Sequence, residues 1–295
     1  MSTNPEPLGV IVGVDGSAAA RVAVDWAART AARRNVPLTL VHILPSAAVQ
    51  GWVQVPLPPS FFEDEQREAR DILADARGVA EAAAGGPDAI RLDEKILSGQ
   101  AVPVLSDLSK DAELIVVGSR GLGNWGRRLL GSVSTGLVHH AHCPVAVIHD
   151  EDPLIPHPDR APVVVGIDGS PASEHATAIA FDEASRRNVD LIAVHTWSDA
   201  GYELPDLSWS QVQPEEDMLL AERLAGWQER YPDVPVRRVV CRDQPARRLL
   251  AEAENAQLLV VGSHGRGGFA GMLLGSVGAE VVQSARIPVI VARRS

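Results

Sequence analysis

Lysine is almost missing from this chain: Lys95 and Lys110 stand beside 25 arginines, and nothing after position 110 is lysine. A Walker-type phosphate loop needs a Gly-Lys-Ser/Thr sequence, and none exists here, so that route to a nucleotide site is excluded. Cysteine is as scarce. Cys143 and Cys241 fall one in each half at non-matching places, which is neither a disulfide framework nor a zinc-ligand spacing and fits a reducing cytoplasm. Aromatic residues make up 4% and the net charge is −11, with 13 basic against 17 acidic residues through Asp150 and 14 against 21 after it. Both halves therefore repel a phosphate backbone and lack a stacking platform, which argues against a nucleic-acid partner. No apolar run approaches the ~20 residues of a membrane helix, and residues 1–8 have no basic stretch followed by an apolar one. The expectation is a cytoplasmic protein with no membrane partner.

What the chain does contain, it contains twice. Val12-Gly13-Val14-Asp15-Gly16-Ser17 returns 153 residues later as Val165-Gly166-Ile167-Asp168-Gly169-Ser170, and Arg33-Arg34-Asn35-Val36 returns at the same offset as Arg186-Arg187-Asn188-Val189. Gly118-Ser119-Arg120-Gly121, nine residues, Gly131-Ser132 returns as Gly262-Ser263-His264-Gly265, nine residues, Gly275-Ser276. Two domains follow, each long enough to bury its own core: residues 1–150 and 162–295, joined by a proline-rich, semi-rigid linker over 151–161.

Short apolar runs alternate with helical stretches in each half, the pattern of parallel strands with crossover helices. Strands are expected near 9–15, 37–43, 90–97, 113–118 and 144–149, and near 162–168, 190–196, 235–241, 257–263 and 288–293. Leu114-Ile115-Val116-Val117 and Leu258-Leu259-Val260-Val261 are continuous apolar runs, as central strands require. Residues 17–34 place Val22, Ala23, Trp26 and Ala27 on one helical stripe. Right-handed crossovers then give an open doubly wound α/β sheet in each half. The stretches 45–60 and 198–213, with Trp52, Trp209 and the adjoining Trp197 among prolines, read as irregular loops.

The chemistry concentrates in the glycine blocks. Gly118 to Ser132 begins at the end of a central strand and finishes at a helix start. Gly118 would let backbone approach a ligand, Gly121 would permit a tight turn, and Gly131-Ser132 would open a helix whose free N–H groups attract phosphate, with Ser132 as its N-cap. Residues 121–126 spell Gly-x-Gly-x-x-Gly, but they follow the fourth strand rather than the first, which argues against a dinucleotide-dependent oxidoreductase. Asp15 and Asp168 close the first strand of each half, where a carboxylate can meet a ribose hydroxyl, assist a metal near phosphates, or cap the next helix. His139, His140, His142 and Cys143 are a dense cluster of metal-type side chains, yet the matching segment 282–286 has nothing similar, so a helix end rich in histidine is expected and no metal site.

With these blocks, the first-strand aspartates and the strand ends Val41-His42 and Val194-His195, the chain resembles a tandem universal stress protein of the ATP-binding subgroup, over all but the termini and linker. The resemblance implies two tandem five-stranded parallel sheets ordered 3-2-1-4-5, of the adenine nucleotide α hydrolase-like kind, with ATP and Mg²⁺ across the carboxyl edge. In the first half Asp15 and Gly118 would lie at the ribose, backbone of Ile43 at the adenine, and Arg120, Gly121, Gly131, Ser132 and Val133 at the phosphates, with Gly13 also among the ATP-binding residues. The second half would use Gly166, Asp168, Thr196, Gly262, His264, Gly265, Gly275, Ser276 and Val277. With Arg120 against His264, and Arg127-Arg128 against Arg266 and Gly271-Met272-Leu273, the two sites need not be equivalent. No catalytic constellation is legible, so the leading expectation is an ATP-dependent regulator in stress response or growth control. A slow ATP hydrolase or phosphotransferase and a nucleotide-free scaffold remain open. The resemblance also implies pairing of the halves at their terminal strands, a homodimer, and a protein partner that the residues do not identify.

Overall fold

The computed structural model describes residues 8–45, 59–121, 130–149, 158–197, 209–265 and 274–293. These fall into two compact units, Met1–Asp150 and Glu151–Arg294. The first runs β1 (Val10–Gly13), α1 (Ala18–Arg34), β2 (Leu38–Leu44), α2 (Pro59–Ala84), β3 (Leu92–Ser98), α3 (Ala101–Leu108), β4 (Leu114–Gly118), α4 (Ser132–His140) and β5 (Val145–Ile148). The second runs β6 (Val163–Gly166), α5 (Pro171–Arg187), β7 (Leu191–Trp197), α6 (Trp209–Arg230), β8 (Val236–Arg242), α7 (Pro245–Ala253), β9 (Leu258–Gly262), α8 (Ser276–Ser284) and β10 (Val289–Ala292). Strands pair in parallel in the order β3-β2-β1-β4-β5 and, in the second unit, β8-β7-β6-β9-β10.

The apolar runs occupy the middle of each sheet because both of their faces must be covered. Val12 lies between Leu40 and Val116, and Val165 between Ala193 and Val260. Val10, Ile11, Val12, Leu114, Ile115 and Val116 are fully buried, each contributing on the order of 1.5–3 kcal/mol through loss of apolar surface from water. The order places the reversal of winding between β1 and β4, where a crevice opens at the carboxyl ends.

Both first helices start and stop by the same devices. Ser17 caps α1 by accepting from Ala20 N–H at 3.1 Å, and Ser170 caps α5 by accepting from Ser173 N–H at 3.2 Å. At the far ends Asn35 (φ 54°) and Asn188 (φ 53°) take the left-handed conformation. Val36 N–H then returns to Ala31 O and Val189 N–H to Ala184 O, both at 3.1 Å, which closes a Schellman turn. The repeated Arg-Arg-Asn-Val is thereby a helix stop, with arginines in the last turn complementing the helix dipole.

The structure corrects two expectations here. Val22 is 42% exposed; the buried stripe of α1 runs instead through Ala20, Ala23, Val24, Ala27, Ala28 and Ala31. Small residues win that face because α1 lies close against β4, so that a methyl at Gly118 would fall 2.9 Å from the Ala19 carbonyl carbon. Residues 209–213, expected as loop, open α6, although Pro214 cannot donate to the carbonyl four residues back. Trp209 packs against Trp197 with ring centroids 6.1 Å apart, and Leu220 and Leu224 are buried further along. Most of the stretches expected as loops, 46–58 and 198–208, lies outside the described residues, as do Trp52 and linker residues 151–157. Pro158–Arg160 forms one 3-10 turn.

Candidate functional site

Each site starts where the first strand stops. Beyond Gly13 the chain passes Val14 and turns at Gly16 (φ +81°) into the capped start of α1. Asp15 sits in that turn, and its Oδ1 accepts from Ser17 N–H at 2.9 Å. Asp15 is thus not the helix cap; it makes an Asx turn that presents its other oxygen outward while Ser17 does the capping. Asp168 repeats the arrangement, accepting from Ser170 N–H at 2.9 Å beside Gly169 (φ +77°).

The glycine loop faces this carboxylate. A methyl at Gly121 would stand 2.6 Å from Asp15 Oδ2, and one at Gly265 would stand 2.7 Å from Asp168 Oδ2. Neither glycine has a positive φ, so the expected tight turn is not why these positions are glycine; the close carboxylate is. Gly118 and Gly262 likewise answer to helix packing, since Ala19 and Ala172 backbone would lie 2.9 Å from an added methyl. The far end of the loop is tied back: Gly131 N–H donates to Ser119 O at 2.8 Å, and Gly275 N–H donates to Ser263 O at 2.8 Å.

Gly131 and Gly275, not the serines after them, are the N-caps of α4 and α8. Ser132 and Ser276 are first helical residues, so their N–H groups, with those of Val133 and Val277, are among the donors a helix cannot satisfy internally. Ser134, one turn in, braces the helix start against the loop, donating to Ser119 O at 3.2 Å and Gly131 O at 3.0 Å. That brace carries no sequence signal beyond a serine in an apolar helix.

In the first unit these pieces surround a cavity of about 560 Å³, within the range of small-molecule sites. Gly13, Asp15, Ile43, Gly118, Arg120, Gly121, Gly131, Ser132 and Val133 all line it. Sequence reasoning missed the apolar wall, in which Ala101 and Leu105 of α3 join Val41, Val117 and Leu130. A wall of that kind is indistinguishable from core in the sequence. Arg127, Arg128, Arg266, Gly271, Met272, Leu273 and the Gly-x-Gly-x-x-Gly run beyond Gly121 lie outside the described residues.

The second unit places Gly166, Asp168, Thr196, Gly262, His264, Gly265, Gly275, Ser276 and Val277 at the matching strand and helix ends. Its chemistry is more polar. Ser173 Oγ accepts from Gly169 N–H at 3.0 Å, where the first unit has Ala20. The Arg223 guanidinium of α6 lies over Gly169, where Ile72 of α2 lies over Gly16. His264 Nδ1 meets Ser263 Oγ at 3.1 Å.

Two histidines complete the setting. His42 Nδ1 lies 2.7 Å from Val14 O, and the buried His195 has Nδ1 2.6 Å from Ile167 O and Nε2 3.1 Å from Glu216 Oε2. The cluster at residues 139–143 is a helix end: His142 N–H donates to Ser109 Oγ at 2.8 Å, and burial pushes the Cys143 thiol up to about 12. Among the described residues no three His, Cys, Asp or Glu side chains converge as a metal would require.

The chain matches the family model for the universal stress protein family over residues 9–149 and again over 160–293. It is 58% identical to a universal stress protein of Mycobacterium tuberculosis strain H37Rv over 298 aligned positions, covering 100% of this chain and 99% of that protein. A second universal stress protein of that strain is 54% identical, with complete coverage of both chains. The crystal structure of a universal stress protein from Archaeoglobus fulgidus superposes with a TM-score of 0.73 at 21% identity, over 98% of this chain and 100% of that one.

Proposed function

Because the chain belongs to the universal stress protein family, we propose that it is an ATP-binding regulator whose occupancy, at one site in each unit, sets its behaviour in stress response or growth control. The observation that carries this reading is the convergence on one cavity of an outward carboxylate oxygen, a strand-end backbone and the open N-terminus of α4. An anion at that helix end meets unpaired N–H donors and the positive end of the dipole, each favourable by roughly 0.3–1 kcal/mol at an exposed site. The carboxylate suits a sugar hydroxyl, and the apolar wall suits a flat base. Mg²⁺ would be held chiefly by the nucleotide's phosphates and water, since the described lining of the cavity offers one carboxylate, already half used by Ser17.

We read the cavity as a place of binding rather than turnover, its one described carboxylate, Asp15, being tied to Ser17 N–H. The test is to denature freshly purified protein and identify released nucleotide by chromatography and mass. ATP at up to two per chain is expected. Labelled ATP that is hydrolysed, with turnover lost in Asp15→Ala plus Asp168→Ala, would replace this reading with a slow hydrolase. The protein is also proposed to act as a homodimer, and light scattering that returns 31.4 kDa at working concentration would reject that.

A further inference from the structure

We infer that His42 and His195 are positioning residues that reserve a backbone edge for the base of the nucleotide, an inference that rests on the ATP reading above and extends it. The starting point is how the first strands lose their partners. Val14 N–H donates to Val41 O, and Ile167 N–H to Val194 O, both at 2.9 Å. In a parallel ladder continued in this register, the carbonyl of the same residue would next accept from the N–H two positions along the neighbouring strand, at Ile43 and Thr196. The histidine between those two positions reaches the carbonyl instead, His42 Nδ1 at 2.7 Å and His195 Nδ1 at 2.6 Å. A carbonyl only accepts, so Nδ1 carries the hydrogen in both rings.

Two consequences follow from that substitution. The residue ahead of each aspartate is held at both its N–H and its C=O although strand pairing has ended, and the Asx bond then fixes the carboxylate. The second consequence concerns Ile43. Alternate residues of a strand direct both backbone groups to the same neighbour, and Leu44 O accepts from Gly99 N–H on the β3 side, so Ile43 turns its N–H and C=O toward the cavity it lines. A donor and an acceptor side by side match adenine, whose N1 accepts and whose N6 amino group donates. His42 thus satisfies the Val14 carbonyl and spares the Ile43 N–H for the base. In the second unit the contact of His195 with Ile167 O repeats that of His42 with Val14 O, and Glu216 of α6 also meets the ring at Nε2.

The first arm of the test needs no nucleotide: long-range ¹H–¹⁵N spectra of the imidazoles in ligand-free protein. A protonated Nδ1 at both His42 and His195 is expected, and a neutral ring protonated only at Nε2 would overturn the assignment. The second arm is competition between ATP and GTP in His42→Ala and His42→Asn, each in an Asp168→Ala background so that only the first site reports. His42→Ala should weaken ATP about tenfold and lower the ATP-to-GTP preference by that factor, as for one lost hydrogen bond. His42→Asn, whose amide can donate to the same carbonyl, should restore both to within about twofold. Equal losses for ATP and GTP, or unchanged preference, would reduce His42 to a merely structural role. A starting protein that binds no ATP would overturn the nucleotide reading itself, while the imidazole spectrum would still decide what holds the carbonyl.

Discussion

Two glycines of the same loop are glycine for different reasons, and the difference is measurable. Gly118→Ala would drive a methyl against Ala19 backbone, which cannot give way without moving α1, so an overpacking loss of about 1–3 kcal/mol in stability is expected with or without nucleotide. Among the described residues Gly121→Ala would meet the Asp15 carboxylate, which can rotate at the expense of its Ser17 bond. It should leave the melting temperature of the nucleotide-free protein nearly unchanged and abolish the upward shift that ATP gives through the first site. Thermal melts of both variants with and without ATP separate the cases, and a stability loss at Gly121 equal to that at Gly118 would contradict this account. The thiols give a further check. Burial holds the Cys143 thiol protonated to about 12, so a thiol reagent on native protein at pH 8 should modify Cys241 well ahead of it, and equal labelling would show the first unit looser than described. Glycine spacing and the strand-end aspartates are local signals, so the sequence pointed to the polar part of the lining, while the apolar wall of Ala101, Leu105 and Val117 read as core. The sequence did not show that Ala19 and Asp15 crowd Gly118 and Gly121, contacts that only the tertiary structure creates, and it took Ser132 as the cap where Gly131 is.

At the scale of elements, the repeated blocks are starts and stops of helices. Ser17→Ala and Ser170→Ala each remove a cap and should cost about 1 kcal/mol by denaturant unfolding. Asn35→Ala should cost a similar ~1 kcal/mol because a β-carbon disfavours the left-handed turn, whereas Asn35→Gly should be neutral or slightly stabilising. Equal destabilisation by alanine and glycine would mean that the Asn side chain, not its backbone conformation, holds the stop. Strand positions were legible to within a residue or two, since continuous β-branched runs have few alternatives. The start of α6 was not, because Pro214 and two tryptophans read as loop until Trp197 is found beside Trp209. Val22 failed for a related reason: on a helix that hugs its sheet through alanines, the bulkier residue belongs outside.

At the scale of the whole chain, two units of one fold carry one site plan with different polar surroundings. Ile72, Ala20 and Arg120 of the first unit correspond to Arg223, Ser173 and His264 of the second, so equal affinity at the two sites is not expected. The symmetric plan was visible in the sequence; the polar dressing from α6 was not, because Arg223 lies 55 positions from Asp168 in a helix with no motif of its own. The most direct test of the central claim is calorimetric titration of nucleotide-stripped protein with ATP, alongside Asp15→Ala and Asp168→Ala. Two binding events per chain, of different affinity, are predicted, with each variant losing a different one. A single event in the starting protein, or two events surviving in both variants, would contradict the assignment of one ATP site to each aspartate turn.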